Sequence, residues 1–339
     1  MILTASLVLS ADDHNHFFVT PTGEGEGTSW EDAFGDLQAA LAIAEAGDLI
    51  WVAEGTYYPT TEADRAAKFI VPNGVRVIGG FIGTEESADE REGKASKTIL
   101  SGQIGEDTEE DNSYTIMYFQ GVDATTVVDG FTFVGAYANG MEEGADLTTC
   151  GGAIFNNAEG TESSPQITNC TFYENFAREG GAFYNYAGEE GIASPSISGC
   201  KFLYNRSDFN GGAVYNNGDF GTSNPTYTDC HFEGNESMYG AGIVNSGLYG
   251  ECKPTLTGCA FTDNFSVVRG GAIYNRREGG RGVCEATIDY ATCTFDDNGS
   301  TIMNGDVDGT SKIAGQNKEA GSTIQLRRPA TTTTEEVAY

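Results

Sequence analysis

Basic residues are few in this chain: 18 Lys and Arg stand against 50 Asp and Glu, a formal charge of −32 over 339 residues. So acidic a chain repels phosphate polymers and anionic lipid surfaces, which argues against nucleic acid as a partner. The excess acid favours solubility and can attract divalent cations, an evenly solvated acidic surface being the plainer account. Proline is also scarce, at 8 residues, so the chain is neither collagen-like nor a proline-rich disordered tract. No apolar run reaches the roughly 18 residues that span a bilayer. Histidine is limited to His14, His16 and His231, and CxxC is absent, which disfavours a zinc site.

Glycine, in contrast, numbers 46, and the aromatics are mostly Tyr and Phe. Frequent glycines beside regularly placed apolar residues predict many short strands and tight turns. The first eleven residues, MILTASLVLSA, have the apolar length of a signal h-region and small residues at Ser10 and Ala11, but no Lys or Arg precedes them. They read as the remnant of a secretion signal. The rival reading is an N-terminal strand, since Ile2, Thr4, Ser6, Val8 and Ser10 alternate with Leu3, Ala5, Leu7 and Leu9, and such a strand would cap the molecule or pair with a neighbour.

Self-similarity decides the fold. CxFxxN recurs as Cys170-Phe172-Asn175, Cys200-Phe202-Asn205, Cys230-Phe232-Asn235, Cys259-Phe261-Asn264 and Cys293-Phe295-Asn298, with cysteine spacings of 30, 30, 29 and 34. Glycine-rich partners follow the first four: GGAFYN at 180–185, GGAVYN at 211–216, GAGIVN at 240–245 and GGAIYN at 270–275. An earlier copy, GGAIFN, stands at 151–156, and DGFTF at 129–133 is a degenerate start with Phe131 in the cysteine position. The units lack a 3.6-residue period and are rich in aromatic and β-branched residues, so they are strands.

Ile167, Ile197, Tyr227 and Leu256 lie three residues before their cysteines, whereas cysteine and phenylalanine lie two apart. The alternation therefore breaks at Asn169, Gly199, Asp229 and Gly258, residue types that tolerate a left-handed backbone. Each unit is expected to run as strand, bend, CxF strand, turn, GGA strand and variable polar loop. One unit cannot bury its own apolar face, but stacked units can, which predicts an all-β parallel β-helix with coils about 4.8 Å apart. The cysteines and phenylalanines would line the interior. The Asn rows would sit at turns, bonded to backbone and to the equivalent Asn of the next coil.

FxxN alternating with GGA[ILV] resembles the paired repeat of the polymorphic outer membrane proteins, a motif also found in otherwise unrelated secreted β-helix proteins. The N-terminal half looks like the entry region of secreted bacterial right-handed β-helix proteins of the pectate-lyase-like superfamily. The matching pieces lie at 17–60 (FFVTPTGEGEGTSWEDAFGDLQ and onward), 77–92 (VIGGFIGTEESADERE), 98–107 (TILSGQIGED) and 111–119 (DNSYTIMYF). The resemblance covers roughly residues 17 to 300 and implies a right-handed β-helix. In the entry region, Thr28 or Ser29 can cap a helix from Trp30 to Ala46, with Ala33, Leu37, Ala40, Leu41 and Ala44 on one face and Gly47 as its stop, followed by a first strand at 49–53. That helix would plug the open end of the solenoid. The expected organisation is a signal remnant or strand at 1–16, entry and cap at 17–60, early coils at 61–128, repeats at 129–300, and a closing strand or tail at 301–339.

Pectate-lyase-like folds host polysaccharide lyases and hydrolases, which need a basic residue beside calcium-holding carboxylates, or paired carboxylates. The basic candidates in the repeats are Arg178, Lys201, Arg206, Arg269, Arg276, Arg277 and Arg281. Arg178 and Arg269 precede their glycine pairs at similar positions, with Asn210 and Tyr239 in that place elsewhere. No cluster of acids is expected to face them in the repeated strands, so catalysis is disfavoured. Arg178, Arg206, Tyr239 and Arg269 are instead candidates for a binding edge. The repeat cysteines read as a ladder of small buried thiols, while Cys252 and Cys284 occupy similar places in adjacent coils, where a disulfide is geometrically possible. NGDVDG at 304–309 resembles the start of a calcium loop through Asp306 and Asp308, but lacks the distant glutamate; calcium is the one cofactor in view. The N-x-S/T matches at Asn205, Asn235, Asn264 and Asn298 fall on the ladder and would be shielded from glycosylation.

The reading that results is a single elongated, secreted or cell-surface β-helix without catalytic activity, acting in adhesion or as a structural component. It would bind a surface glycan or protein through stacked loops at 157–165, 186–195, 217–225, 246–254 and 276–284. The alternatives are a self-assembling extracellular filament joined through terminal segments, and a polysaccharide lyase or hydrolase acting on acidic glycans.

Overall fold

The computed structural model describes residues 14–91, 97–106, 108–276 and 281–299, and the backbone of 302–305. The expected signal or strand at 1–11 and Asp306, Asp308 and the rest of the tail lie outside the described residues. The chain winds as a parallel β-solenoid. A first sheet of nine strands runs from His16–Val19 to Thr287–Ile288, a second of eight from Gly55–Tyr57 to Thr294–Asp296, and a third of eight from Phe69–Ile70 to Ile302–Gly305. Like residues of successive repeats pair in register, as Ile167 does with Ile197 and Phe172 with Phe202.

The bend between the first two sheets falls where the broken alternation put it. Asn169, Gly199, Asp229 and Gly258 have φ of 53°, 62°, 52° and 67°. A second left-handed corner, at the turn expected for the Asn row, precedes each ladder asparagine at Glu174, Tyr204, Gly234, Asp263 and Asp297.

Between that corner and the GGA stretch runs a further strand that was not expected. Tyr137–Ala138, Phe176–Glu179, Arg206–Asn210, Glu236–Tyr239 and Phe265–Arg269 form a lateral sheet of five strands. GGA is correspondingly a corner and not a strand: the third-sheet strands begin after it, at Phe183–Tyr186, Val214–Asn217, Ile243–Ser246 and Ile273–Arg276. Glycine is required there, because Gly180 has φ 63° and a Cβ on Gly181 would stand 2.2 Å from the carbonyl oxygen of Gly212.

Inside, Phe133, Phe172, Phe202, Phe232, Phe261 and Phe295 stack ring on ring, with centroids 4.6 to 5.1 Å apart. Burying each such side chain contributes about 1.5–3 kcal/mol. The ladder thiols lie beside them, Cys200 Sγ donating to Ile167 O and Cys230 Sγ to Ile197 O at 3.6 and 3.5 Å. Each ladder asparagine is saturated. Asn205 Nδ2 donates to Phe172 O and to Asn235 Oδ1, and Asn205 N donates to that same Oδ1. A second row, Asn216, Asn245 and Asn275, is linked the same way at 2.8 Å.

The entry helix is shorter than the apolar pattern suggested. It spans Leu37–Ile43, capped by Asp36, whose side chain accepts from Gln38 N. Thr28 bonds Asp32 instead, and the chain before the helix folds back so that Phe34 N reaches Phe18 O at 2.9 Å. The indole of Trp30 packs with Phe18, Trp51 and Phe81 in a cluster separate from the main core, away from the helix. Leu37, Ala40, Leu41 and Ala44 still join the main core. Gly47, expected to stop the helix, instead makes a later turn at φ 98°.

Candidate functional site

The third sheet buries Ile154, Phe183, Val214 and Ile273 inward and turns alternate residues outward. One outward row, Phe155, Tyr184, Tyr215, Val244 and Tyr274, forms a separate apolar cluster with Cys150. The next outward row is Asn157, Tyr186, Asn217, Ser246 and Arg276. These rows floor a cleft of about 750 Å³. The lateral sheet supplies one wall through Arg178, Glu179, Phe209, Asn210, Tyr239, Val268 and Arg269, and Asp219 and Phe220 stand in the other.

Glu179, Asn210, Tyr239 and Arg269 are register partners along that wall. The residue sharing a row with Arg269 is therefore Glu179, and not Arg178, because the position directly before each glycine pair sets the register. Asn210 Nδ2 donates to Glu179 Oε1 at 2.8 Å. Burial pushes the Glu179 carboxyl above its ordinary range, the Asp219 carboxylate adds to this, and the Asn210 bond and the cations Arg276 and Arg178 oppose it. Asp219 is fixed by bonds from Ser246 Oγ and Leu248 N at 2.8 and 2.6 Å. Burial also drives the Tyr184 and Tyr215 hydroxyls far above their usual range, so both stay neutral, and Tyr184 accepts from Asn217 Nδ2 at 2.8 Å.

Exposed aromatic faces flank the polar floor. Phe209 lies under the Arg178 guanidinium at 5.3 Å, and Tyr239 stacks with Tyr274 at 5.6 Å. Phe220 is 58 % exposed, stacks on Tyr249 at 5.0 Å and has φ 65°. A bulky residue in that conformation costs about 1–3 kcal/mol, so the fold places Phe220 there against local preference.

Of the four binding-edge candidates, Arg178, Tyr239 and Arg269 come together in this cleft. Arg206 does not: it lies over the Phe176 ring at 4.8 Å in a second groove, with Tyr173, Tyr204, Asn112 and Glu236. Glu179 is the one acid that a repeated strand brings to the cleft lining; Glu142, Glu143 and Asp219 join it there from the segments between strands. The variable segments contribute Tyr186, Asn217, Asp219, Phe220 and Arg276 to the lining, and the lateral sheet contributes the rest of the wall. The alignment of residues preceding the glycine pairs would have found Glu179, but nothing in the repeat pattern marks Asp219, Phe209 or Phe220.

Cys252 and Cys284 are in register on neighbouring strands, as their spacing suggested, and both are buried free thiols. They donate to Asn216 O and Asn245 O at 3.6 and 3.2 Å. Asn205, Asn235 and Asn264 are fully buried in the ladder. Among the described residues no group of three or more His, Cys, Asp or Glu is placed to hold a metal ion, and no helix is long and apolar enough to cross a membrane.

A family model describing the Chlamydia polymorphic membrane protein repeat matches residues 258–276, one FxxN element and one GGA element. A solved pectin methylesterase from Aspergillus niger is similar at 15% identity and TM-score 0.31, covering 93% of each chain. A rhamnogalacturonan lyase is similar at 12% identity and TM-score 0.36, covering 88% of this chain and 89% of that one. No curated protein matches this chain.

Proposed function

We propose that this chain is a non-catalytic extracellular or cell-surface β-helix protein that acts in adhesion by holding a surface glycan in the cleft between the lateral and third sheets. The carrying observation is the lining itself. Neutral tyrosine hydroxyls, amides and charges of both signs line the cleft together with aromatic rings, the combination that suits a hydroxylated ring with one apolar face. The matched repeat of a polymorphic membrane protein supports the surface location. In this reading the helix Leu37–Ile43 plugs the N-terminal end, so that the exposed work is done farther along the solenoid.

The test is binding of the purified chain to immobilised glycans and surface proteins. Arg178→Ala and Tyr239→Ala should each weaken binding roughly tenfold, the scale of one charge-assisted or stacking contact, while Arg206→Ala leaves it unchanged. Equal losses in all three, or none, would move the site elsewhere.

One observation favours a second reading, a glycan-cleaving enzyme. Glu179, whose carboxyl is raised chiefly by burial, lines the same cleft as Asp219, and two carboxyl groups in unlike environments are what a hydrolase employs. No new reducing ends and no unsaturated uronate across a panel of polysaccharides would remove it.

A further inference from the structure

The lateral sheet ends abruptly. Among the described residues Phe265–Arg269 is its last strand, with a neighbour on one side only. Earlier coils spend seven or eight residues between the ladder asparagine and the third-sheet strand, as from Asn264 to Ile273, whereas Asn298 is followed by that strand already at Ile302. That interval is too short for another strand of this kind, and the described residues hold no sixth one. The stranded edge is apolar and open: Phe265 is 45 %, Val267 71 % and Val268 49 % exposed. None of the usual protections of an edge is present in FSVV, neither proline, nor lysine, nor an inward charge.

We infer that two copies of this chain pair through Phe265–Arg269, antiparallel about a two-fold axis at Val267, joining their lateral sheets into one. The strand is complementary to itself in this arrangement. Val267 meets Val267, and each Arg269 falls opposite Phe265 of the second copy, with Glu236, the register partner of Phe265, one strand farther in. A guanidinium thus meets an aromatic face backed by a carboxylate at both ends of the pairing. A two-fold contact of this kind closes on itself and gives a dimer, not a fibre. Because the axis is perpendicular to the sheet, both clefts open on the same face. Val268 and Arg269 line the cleft, so Ser266 and Phe265 of the second copy extend its wall. A five-residue pairing buries less than a standard interface of roughly 1,200 Å² or more, so the dimer is weak and concentration-dependent. Each copy also carries a formal charge of −32, so salt strengthens the pairing by screening.

Sedimentation of the full chain should show a shift from 35.9 kDa toward twice that mass as concentration and salt rise. Val267→Lys should abolish the shift without altering the circular dichroism, since the side chain is exposed. Val267→Cys should form a covalent dimer under mild oxidation, while Asp208→Cys on the next strand but one should not. A monomer at high salt and concentration overturns the inference. So does a dimer that survives Val267→Lys, growth into polymers, or amides of 265–269 already protected from hydrogen exchange in the monomer, which would mean that the chain's own residues 306–339 cover the edge. The oligomeric state is read without ligand, so failure of the proposed adhesion leaves this test standing.

Discussion

The ring of Phe232 lies 4.7 Å from that of Phe202 with their planes 2° apart. It lies 4.6 Å from Phe261 on the other side, at 4°. A middle rung is therefore packed on both faces, and truncating it leaves a cavity that two coils cannot close. Phe232→Ala should cost about 3–5 kcal/mol in denaturant unfolding. Phe295→Ala, at the last rung and only partly buried, should cost clearly less; equal costs would show that the stack does not bear on stability rung by rung.

Asn235 makes the asparagine ladder testable in the same way. Its Oδ1 accepts from Asn205 N and Nδ2, and its Nδ2 donates to Phe202 O and Asn264 Oδ1. Asn235→Ala strands several buried groups at once, each at about 1–3 kcal/mol. Asn235→Asp restores the acceptor but not the donor, so it should recover part of the loss at most. Thermal unfolding of the pair distinguishes a hydrogen-bonded ladder from simple volume filling.

Glu179 should give stability a distinctive pH dependence. Its carboxyl is raised above the ordinary 4.5 in the fold, chiefly by burial. Its contribution is then fully present below that unfolded value and is lost as pH rises through the higher folded one. Glu179→Gln keeps an acceptor for Asn210 and carries no charge, so its stability should not fall over that interval and should exceed the parent's at neutral pH. Denaturation midpoints between pH 4 and 8 check the sign, and a parent that gains stability there relative to Glu179→Gln would contradict it.

The cysteines should titrate as thiols. All eight are buried and free, so a thiol reagent should count eight in denaturant and react slowly in the native state. Burial pushes the Cys150 thiol up to about 12, which slows it further. A linked peptide carrying Cys252 and Cys284 in non-reducing mapping would show that this pair oxidises.

Repetition made most of the fold legible. Five copies of CxFxxN at near-constant spacing, with parity breaks at Asn169, Gly199, Asp229 and Gly258, determined by themselves a stack of short strands with inward cysteines and phenylalanines. The reason is physical: in a solenoid each coil meets only its neighbours, so a local pattern copied at one period implies its own tertiary contacts. The entry helix was less legible, because Trp30 fits a helical face in sequence yet finds better burial against Trp51 and Phe81. The cleft was decided only in three dimensions. Arg178, Asp219 and Arg276 come from three different coils, and Arg206 has the same chemistry as Arg178 but faces the opposite side of the lateral sheet. Which side a residue faces depends on a strand that the sequence showed only as a turn, and a shift of one residue there exchanges the two faces.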